Sequence, residues 1–242
     1  VRGPVLDVGA NMGLYSELLA PAVSDQELFL FEPIPQVALR LRRRFPAAKV
    51  IEAALSDHEG EGVLRIPYID GRLRTTRATT SDHDEPGLTG YEDVRVRFDT
   101  LDAVCRAEGI DDVGLLKIDV EGHELEFLRG AREVLARGAP LLLVEIEQRH
   151  HPEGVSNVFG LLESYDFEGF YVDPRTLSLR RIAEFDAERD QPYDALARGD
   201  FRNYANNFLF VRRGAESEAF ESAMVELLDA EASSARPARE GP

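Results

Sequence analysis

The segment LLKIDVEGHELEFL, residues 115–128, sets an apolar run directly against Asp119, Glu121, His123 and Glu124. The run has the length and continuity of a strand buried on both faces. The residues after it carry helical spacing, so the ionisable cluster falls where a strand ends and a helix begins. Buried parallel sheets are built from such units, and ligands bind in them beyond the carboxyl ends of the strands.

Units of the same kind lie on either side. VLDV (5–8) precedes the turn GANMG and the helical pattern LYSELLA. ELFLFE (27–32) reads as the second strand, and PIPQVALRLRRRF as a helix with its prolines at the start. KVIEAAL (49–55) reads as a third strand. GVLRIPY (62–68) and VRVRFD (94–99) alternate by twos, as extra or edge strands do, around a polar loop at about 68–93. TLDAVCRAEG (100–109) predicts a helix, VGLLKID (113–119) a strand, and HELEFLRGAREVLARG (123–138) one helix closed by Gly138. PLLLVEIE (140–147) is a further buried strand. A helix over VFGLLESYDF (158–167), a strand over EGFYVD (168–173) and a last strand over NNFLFVRR (206–213) follow. The pattern predicts an α/β fold, a mostly parallel sheet with helices on both faces. One domain spans 1–229, and 230–242, without apolar period, is expected to be a disordered tail.

Composition narrows the function. The chain has 242 residues, 43% of them hydrophobic, which suffices for a substantial core. Its 28 basic and 45 acidic residues leave a net charge of −17, which argues against nucleic acid or an anionic membrane as partner. No apolar run is long enough to predict a transmembrane helix. The single cysteine, Cys105, forms no internal disulfide and lies in an amphipathic helix. It is expected to be a buried structural thiol in a reducing, cytoplasmic setting. The chain starts at Val1 without methionine, so a preceding segment is expected to have been trimmed. A homo-oligomer is compatible with this composition.

The turn DVGANMG offers Asp7, Gly9, Ala10, Asn11 and Gly13 at the end of the first strand. Glycine there permits close approach of a ligand to the backbone, and the following helix start favours a carboxylate or phosphate. The spacing departs from the dinucleotide fingerprint, because Asn11 stands at the middle glycine position. A smaller zwitterion, the amino-acid end of S-adenosylmethionine, fits better, with Asp7 as a counter-charge for its ammonium. Glu32, at the end of the second strand, is placed to accept both ribose hydroxyls, or to cap the helix that begins beside it. Ala54, Leu55, Ser56 and Asp57, after the third strand, are candidates for reading an adenine ring, or form an ordinary turn.

VLDVGANMGLYS, FEPIP, AALSDHEG, TLD and LLKIDVEGHELEFLRGA…PLLLVEIE, in that order, resemble the FkbM-type family of S-adenosylmethionine-dependent methyltransferases. The likeness runs from about Val5 to Glu147, returns in NNFLFV, and is most specific in KIDVEGHE. It implies a class I, Rossmann-like methyltransferase sheet with an antiparallel last strand. It also implies methyl transfer to a hydroxyl of a sugar, polyketide or other small metabolite.

Alkylating an alcohol requires alignment and removal of a proton. Asp119, His123 and Glu145 are therefore candidate catalytic residues, Asp119 also a cofactor contact, and His123 a base suited to neutral pH. Asp119 and Glu145, with Glu121 or His123, are also candidate ligands for Mg²⁺. The alternative for Asp119, Glu121 and Glu124 is stabilisation of a helix start, which favours acids. His150 and His151 follow the next strand, as substrate contacts or surface-loop residues. Arg72, Arg74 and Arg77 are placed to attract an anionic acceptor or to decorate a mobile loop, and RLRRR (40–44) reads as a solvated helix face. The reading is an S-adenosylmethionine-dependent O-methyltransferase of a small hydroxylated acceptor. A nicotinamide-linked oxidoreductase and a non-catalytic binding module are the alternatives.

Overall fold

A computed structural model describes residues 3–23, 27–80, 87–138, 140–193, 195 and 201–234. The first two strands, β1 (Val5–Val8) and β2 (Leu28–Phe31), carry helices α1 (Leu14–Leu19) and α2 (Pro35–Arg44) after them. β3 (Lys49–Ile51), β4 (Ala54–Leu55), β5 (Gly60–Ile69), β6 (Arg72–Leu73) and β7 (Leu88–Asp99) precede α3 (Leu101–Glu108). β8 (Leu115–Ile118) is followed by α4 (Glu124–Gly130) and α5 (Arg132–Arg137), and β9 (Leu141–Glu145) by α6 (Ser156–Ser164). β10 (Phe167–Asp173), β11 (Ser178–Arg181), α7 (Ala187–Asp190), β12 (Asn207–Arg212) and α8 (Ala215–Ser234) complete the order.

The main sheet runs β11-β10-β12-β9-β8-β1-β2-β3, and β12 lies antiparallel between β9 and β10. β3, β2, β1, β8 and β9 are parallel. From β1 the chain first builds outward through β2 and β3, then returns to lay β8 on the other side. The switch point therefore falls between β1 and β8, where parallel α/β sheets bind ligands. β1, β2 and β8 are buried along their whole length, as strands covered on both faces must be.

Four expectations need correction. KVIEAAL is two strands: β3 pairs with β2, but β4 leaves the main sheet and pairs with β7 in a second sheet of order β4-β7-β5-β6. The polar loop at 68–93 is shorter than expected, because β5 and β7 form a long hairpin paired from Gly60↔Phe98 to Ile69↔Leu88. Residues 81–86 lie outside the described part. The helix over 123–138 breaks at Ala131 into α4 and α5, with Gly130 pressed on the backbone of Ser56. Residues 230–234, expected in a disordered tail, belong to α8, and 235–242 lie outside the described residues.

Cys105 is buried, and burial with the nearby Asp102 pushes its thiol up to about 12, so it is protonated and structural. No helix among the described residues is long and apolar enough to cross a membrane.

Candidate active site

The cleft opens over the ends of β1, β2 and β8. Gly9 turns the chain after β1 with φ +76°, and a Cβ there would be driven into the backbone oxygen of Asp119, just past β8. The N–H groups of Gly9 and Ala10 both donate to the Phe31 carbonyl, at 3.1 and 3.0 Å, tying this turn to β2. One residue past β2, Glu32 accepts from Asn11 N at 3.0 Å and Ile34 N at 2.8 Å, one bond on each carboxylate oxygen. Each oxygen keeps a second lone pair. Burial raises Glu32 to about 7 even so. On the other side Glu121 (φ +49°) and Gly122 (φ +92°) bend the chain from β8 into α4, with Gly122 packed against the His150 side chain.

These elements enclose a solvent-open cleft of about 660 Å³. Gly9, Asn11, Glu32, Ala54, Leu55, Asp119, Glu121 and His123 all line it. Other expected residues do not, among them Asp57, whose Oδ1 lies 2.8 Å from His58 Nδ1. Asp7 is buried below it and accepts from Ser16 Oγ at 2.5 Å, with burial raising its pKa. Ala10 is packed in the core under α1. Gly13 starts α1 at φ +77° and lies against Phe45 and Leu41. Ser56 is fully buried behind the wall, and Glu145 sits beside Asp119 without reaching the cleft surface.

The two ends of the cleft differ in chemistry. One end is apolar, formed by Ile34, Ala53, Leu64 and Phe98, with Thr75, Thr79 and Thr80 beside them. His123 belongs to this end. Its Nε2 lies 2.9 Å from Ser56 Oγ, its Nδ1 3.3 Å from Thr80 Oγ1, and its ring tilts against Phe98. Burial lowers its pKa, which keeps it neutral at pH 7.

The other end is a charged corner. The Lys117 side chain is completely buried, with Nζ 3.8 Å from Asp119 Oδ2 and 3.9 Å from Glu145 Oε2. Nζ also donates to the Ile118 carbonyl at 3.1 Å and stands over the Tyr15 ring. Burial, then the charge of Asp119, raises Glu145 to about 8, and Asp119 and Glu145 are hydrogen-bonded. Tyr15 donates to Asn207 Oδ1 at 3.0 Å and Asn206 Nδ2 to Glu145 at 2.7 Å, which ties α1 and β12 to the corner.

The remaining ionisable groups form a supporting network. Burial raises Glu121 to about 8; it pairs with His150 Nε2 at 3.0 Å and Arg149 at 3.5 Å. Glu124 is buried, accepts from Gly122 N at 3.1 Å and pairs with His151 Nε2 at 2.8 Å. His150 and His151 are thus internal partners of the acids that follow β8, not loop residues facing solvent. Arg77 is near Arg149, Glu121 and Glu147, while Arg72 and Arg74 are exposed. The arginines of α2 point to solvent around buried Leu41.

The expected metal ligands need correction. No three His, Cys, Asp or Glu side chains among the described residues converge as a metal site. Between Asp119 and Glu145 the neighbouring cation is the Lys117 ammonium, and Glu121 is turned to His150 and Arg149. A methyl donor of nucleoside type fits better: Glu32 offers acceptors for a diol, the apolar end a slot for a flat ring, and the buried, unsatisfied Asn11 Oδ1 an acceptor beside the turn. Lys117, Tyr15, Asn206 and Asn207, which the sequence motifs do not single out, complete this corner. The available signal is a lone lysine inside the apolar strand LLKI.

A parallel sheet with a glycine turn after its first strand, an acid after its second and a cleft at the switch point places the protein in the doubly wound α/β class, whose ligand clefts lie at that point. The chain belongs to the methyltransferase FkbM domain family, whose profile matches residues 7–190. It is 26% identical over 203 residues to the AMB antimetabolite synthetase AmbE of Pseudomonas aeruginosa, covering 71% of this chain and 10% of that one. It is 26% identical over 145 residues to the 2-O-methyltransferase NoeI of Sinorhizobium fredii, covering 55% of this chain and 59% of that one. It is 25% identical over 214 residues to the methyltransferase sdnD of Sordaria araneosa, covering 77% and 75%. The chain thus spans a tenth of AmbE and less than two thirds of NoeI. The crystal structure of a methyltransferase FkbM from Methylobacillus flagellatus covers 86% of this chain and 43% of its own, with a TM-score of 0.51 at 16% identity, a likeness of fold.

Proposed function

We propose that the protein is an S-adenosylmethionine-dependent O-methyltransferase acting on a hydroxyl of a small acceptor, such as a sugar or polyketide. The observation that carries this reading is the pairing of Glu32 with two backbone N–H groups at the rim of a cleft whose far end is apolar. That arrangement suits a ribose diol followed by a flat base. Family membership favours methyl over hydride transfer, and the name of NoeI, a 2-O-methyltransferase, lends weight to a hydroxyl acceptor.

Gly9 and Asn11 would hold the amino-acid end of the cofactor, Glu32 its ribose, and Ala54, Leu55 and His123 the region of its base. The bound cofactor supplies an electrophilic methyl group on a sulfonium. Asp119, at the charged corner, would take the proton of the acceptor hydroxyl as its oxygen bonds the methyl carbon and the methyl–sulfur bond breaks, the sulfur leaving as a neutral thioether. Glu145 hydrogen-bonds that carboxylate and keeps it oriented. Positioned base catalysis of this kind contributes about 10²- to 10⁴-fold. His123 is a wall residue on this reading, because its ring nitrogens face Ser56 and Thr80.

The test is incubation with methyl-tritiated S-adenosylmethionine and a panel of methyl glycosides and simple polyols. Titration calorimetry runs in parallel with S-adenosylhomocysteine and with NAD(H). Binding of S-adenosylhomocysteine, silence toward NAD(H) and label in a methyl ether are expected. Binding of NAD(H) alone would reverse the reading.

A further inference from the structure

The buried Lys117 is the feature that the proposed chemistry does not use. Along β8 its side chain leaves the same face of the sheet as Asp7 on β1, its partner in register, and Glu145 on β9. α1 covers that face, with Ser16 on Asp7 and Tyr15 on Lys117. The groups around the ammonium are Asp7 from β1, Tyr15 from α1, Asp119 and the Ile118 carbonyl from its own segment, and Glu145 from β9.

An ammonium with no solvent exposure is costly to bury and persists where opposite charge surrounds it. Its three N–H groups do not all find short partners. One is bonded to Ile118 O, the Tyr15 ring lies against another flank, and both carboxylates stay beyond direct hydrogen-bond distance. The ammonium therefore acts on Asp119 by charge at close range in a low-dielectric setting, where such attraction is strong. Burial raises the pKa of Asp119 and favours its neutral form, and the Lys117 ammonium is the largest influence against that.

We propose that Lys117 is the positioning residue of the charged corner: its ammonium holds Asp119 as a carboxylate facing the cleft, where the positive end of a methyl donor would sit. This rests on the methyltransferase reading above. Asp119 touches the reacting groups, and Lys117 acts only through Asp119.

Loss of Lys117 is expected to act with an unusual sign. Simple Coulomb reasoning says that deleting a lysine strengthens binding of a cation nearby. Positioning predicts the reverse, because Asp119 loses its charge together with Lys117.

The experiment compares two probes by calorimetry, neutral-sulfur S-adenosylhomocysteine and sinefungin, which carries an ammonium at the place of the methyl sulfonium. The wild-type protein is expected to prefer sinefungin by about tenfold, the size of one modest charge interaction. Asp119→Asn should bring that preference to about one. Lys117→Met should do the same, with S-adenosylhomocysteine affinity changed less than about threefold, and Lys117→Arg should retain part of the preference. A merely structural role would weaken both probes alike. If Lys117→Met does not fold, Lys117→Gln, which keeps a donor for the Ile118 carbonyl but carries no charge, is read identically. An unchanged or increased sinefungin preference in the lysine variant overturns the proposal while the Asp119 reading stands. Equal preference in wild type and Asp119→Asn would overturn the Asp119 reading, and the proposal with it.

Discussion

Gly9 and Asp119 meet backbone to backbone across the ends of β1 and β8, with no room for a side chain at Gly9. The same residue sits at φ +76°, in the left-handed region that costs a residue with a Cβ about 1–2 kcal/mol. Any substitution must move the turn away from β8, and this turn also carries Asn11, which holds Glu32. Gly9→Ala is therefore expected to weaken S-adenosylhomocysteine binding by more than about tenfold, while circular dichroism retains its α/β signature. Wild-type affinity in that variant would mean that the floor of the cleft is not where the ligand lies.

His123 provides a second, opposed expectation. As a general base it would leave binding of a product-like ligand untouched and matter only for turnover. As a wall residue fixed by Ser56 and Thr80 it should matter for binding. His123→Ala is expected to weaken S-adenosylhomocysteine by about 3- to 30-fold, the loss of one or two hydrogen-bond-sized interactions. Affinity equal to wild type would return His123 to the role of base.

Glu32 makes ligand affinity depend on pH. Burial raises its carboxyl to about 7 in the free protein. A ribose diol donates two hydrogen bonds to the ionised form, so binding favours loss of the proton. Affinity for S-adenosylhomocysteine should accordingly rise with pH up to about 7 and level off above it. Glu32→Gln should flatten that profile and lower the affinity by about 10- to 100-fold, as for hydrogen bonds to a charged group. Calorimetry at four or five pH values in buffers of matched ionic strength decides it. A wild-type profile flat between pH 5 and 8 would separate Glu32 from the ligand.

The parallel half of the sheet is legible in the sequence because its strands are buried on both faces and end in marked turns. VLDV runs into GANMG, and LLKI into DVEG. What escapes is set by contacts distant in sequence. Periodicity cannot tell that KVIEAAL leaves one sheet for another after Ile51, since Ala54 and Leu55 are apolar in either place. The apolar period also continues through the break at Ala131, which accompanies the contact of Gly130 with Ser56. In the site, acids after strands are readable, but their partners are not. Lys117 is only a lysine inside an apolar strand until Tyr15, Asp119 and Glu145 are seen around it. His150 and His151 look like loop residues until Glu121 and Glu124 are seen beneath them.

The cluster of raised carboxyls also predicts how the free protein responds to pH. Burial raises Glu32 to about 7 and Glu121 and Glu145 to about 8, from 4.5 in an unfolded chain. Between those limits the folded state holds more protons than the unfolded one, so stability falls as pH rises through the window. His150, lowered by burial to about 4 from 6.5, acts oppositely, but only below about pH 6.5, where the unfolded chain gains its proton. His123, also lowered by burial, has the same sign. Above about 6.5 the histidine effect is spent and the carboxyl effect remains, so the thermal midpoint should drop between about pH 6.5 and 8. Each kcal/mol lost corresponds to about 2–4 °C in a chain of this size. Scanning calorimetry of wild type should show the decline, and Glu121→Gln/Glu145→Gln should reduce it. A midpoint constant or rising across that interval would mean that these acids are ionised at little cost in the folded protein, and the charged corner would lose its proton-sharing character.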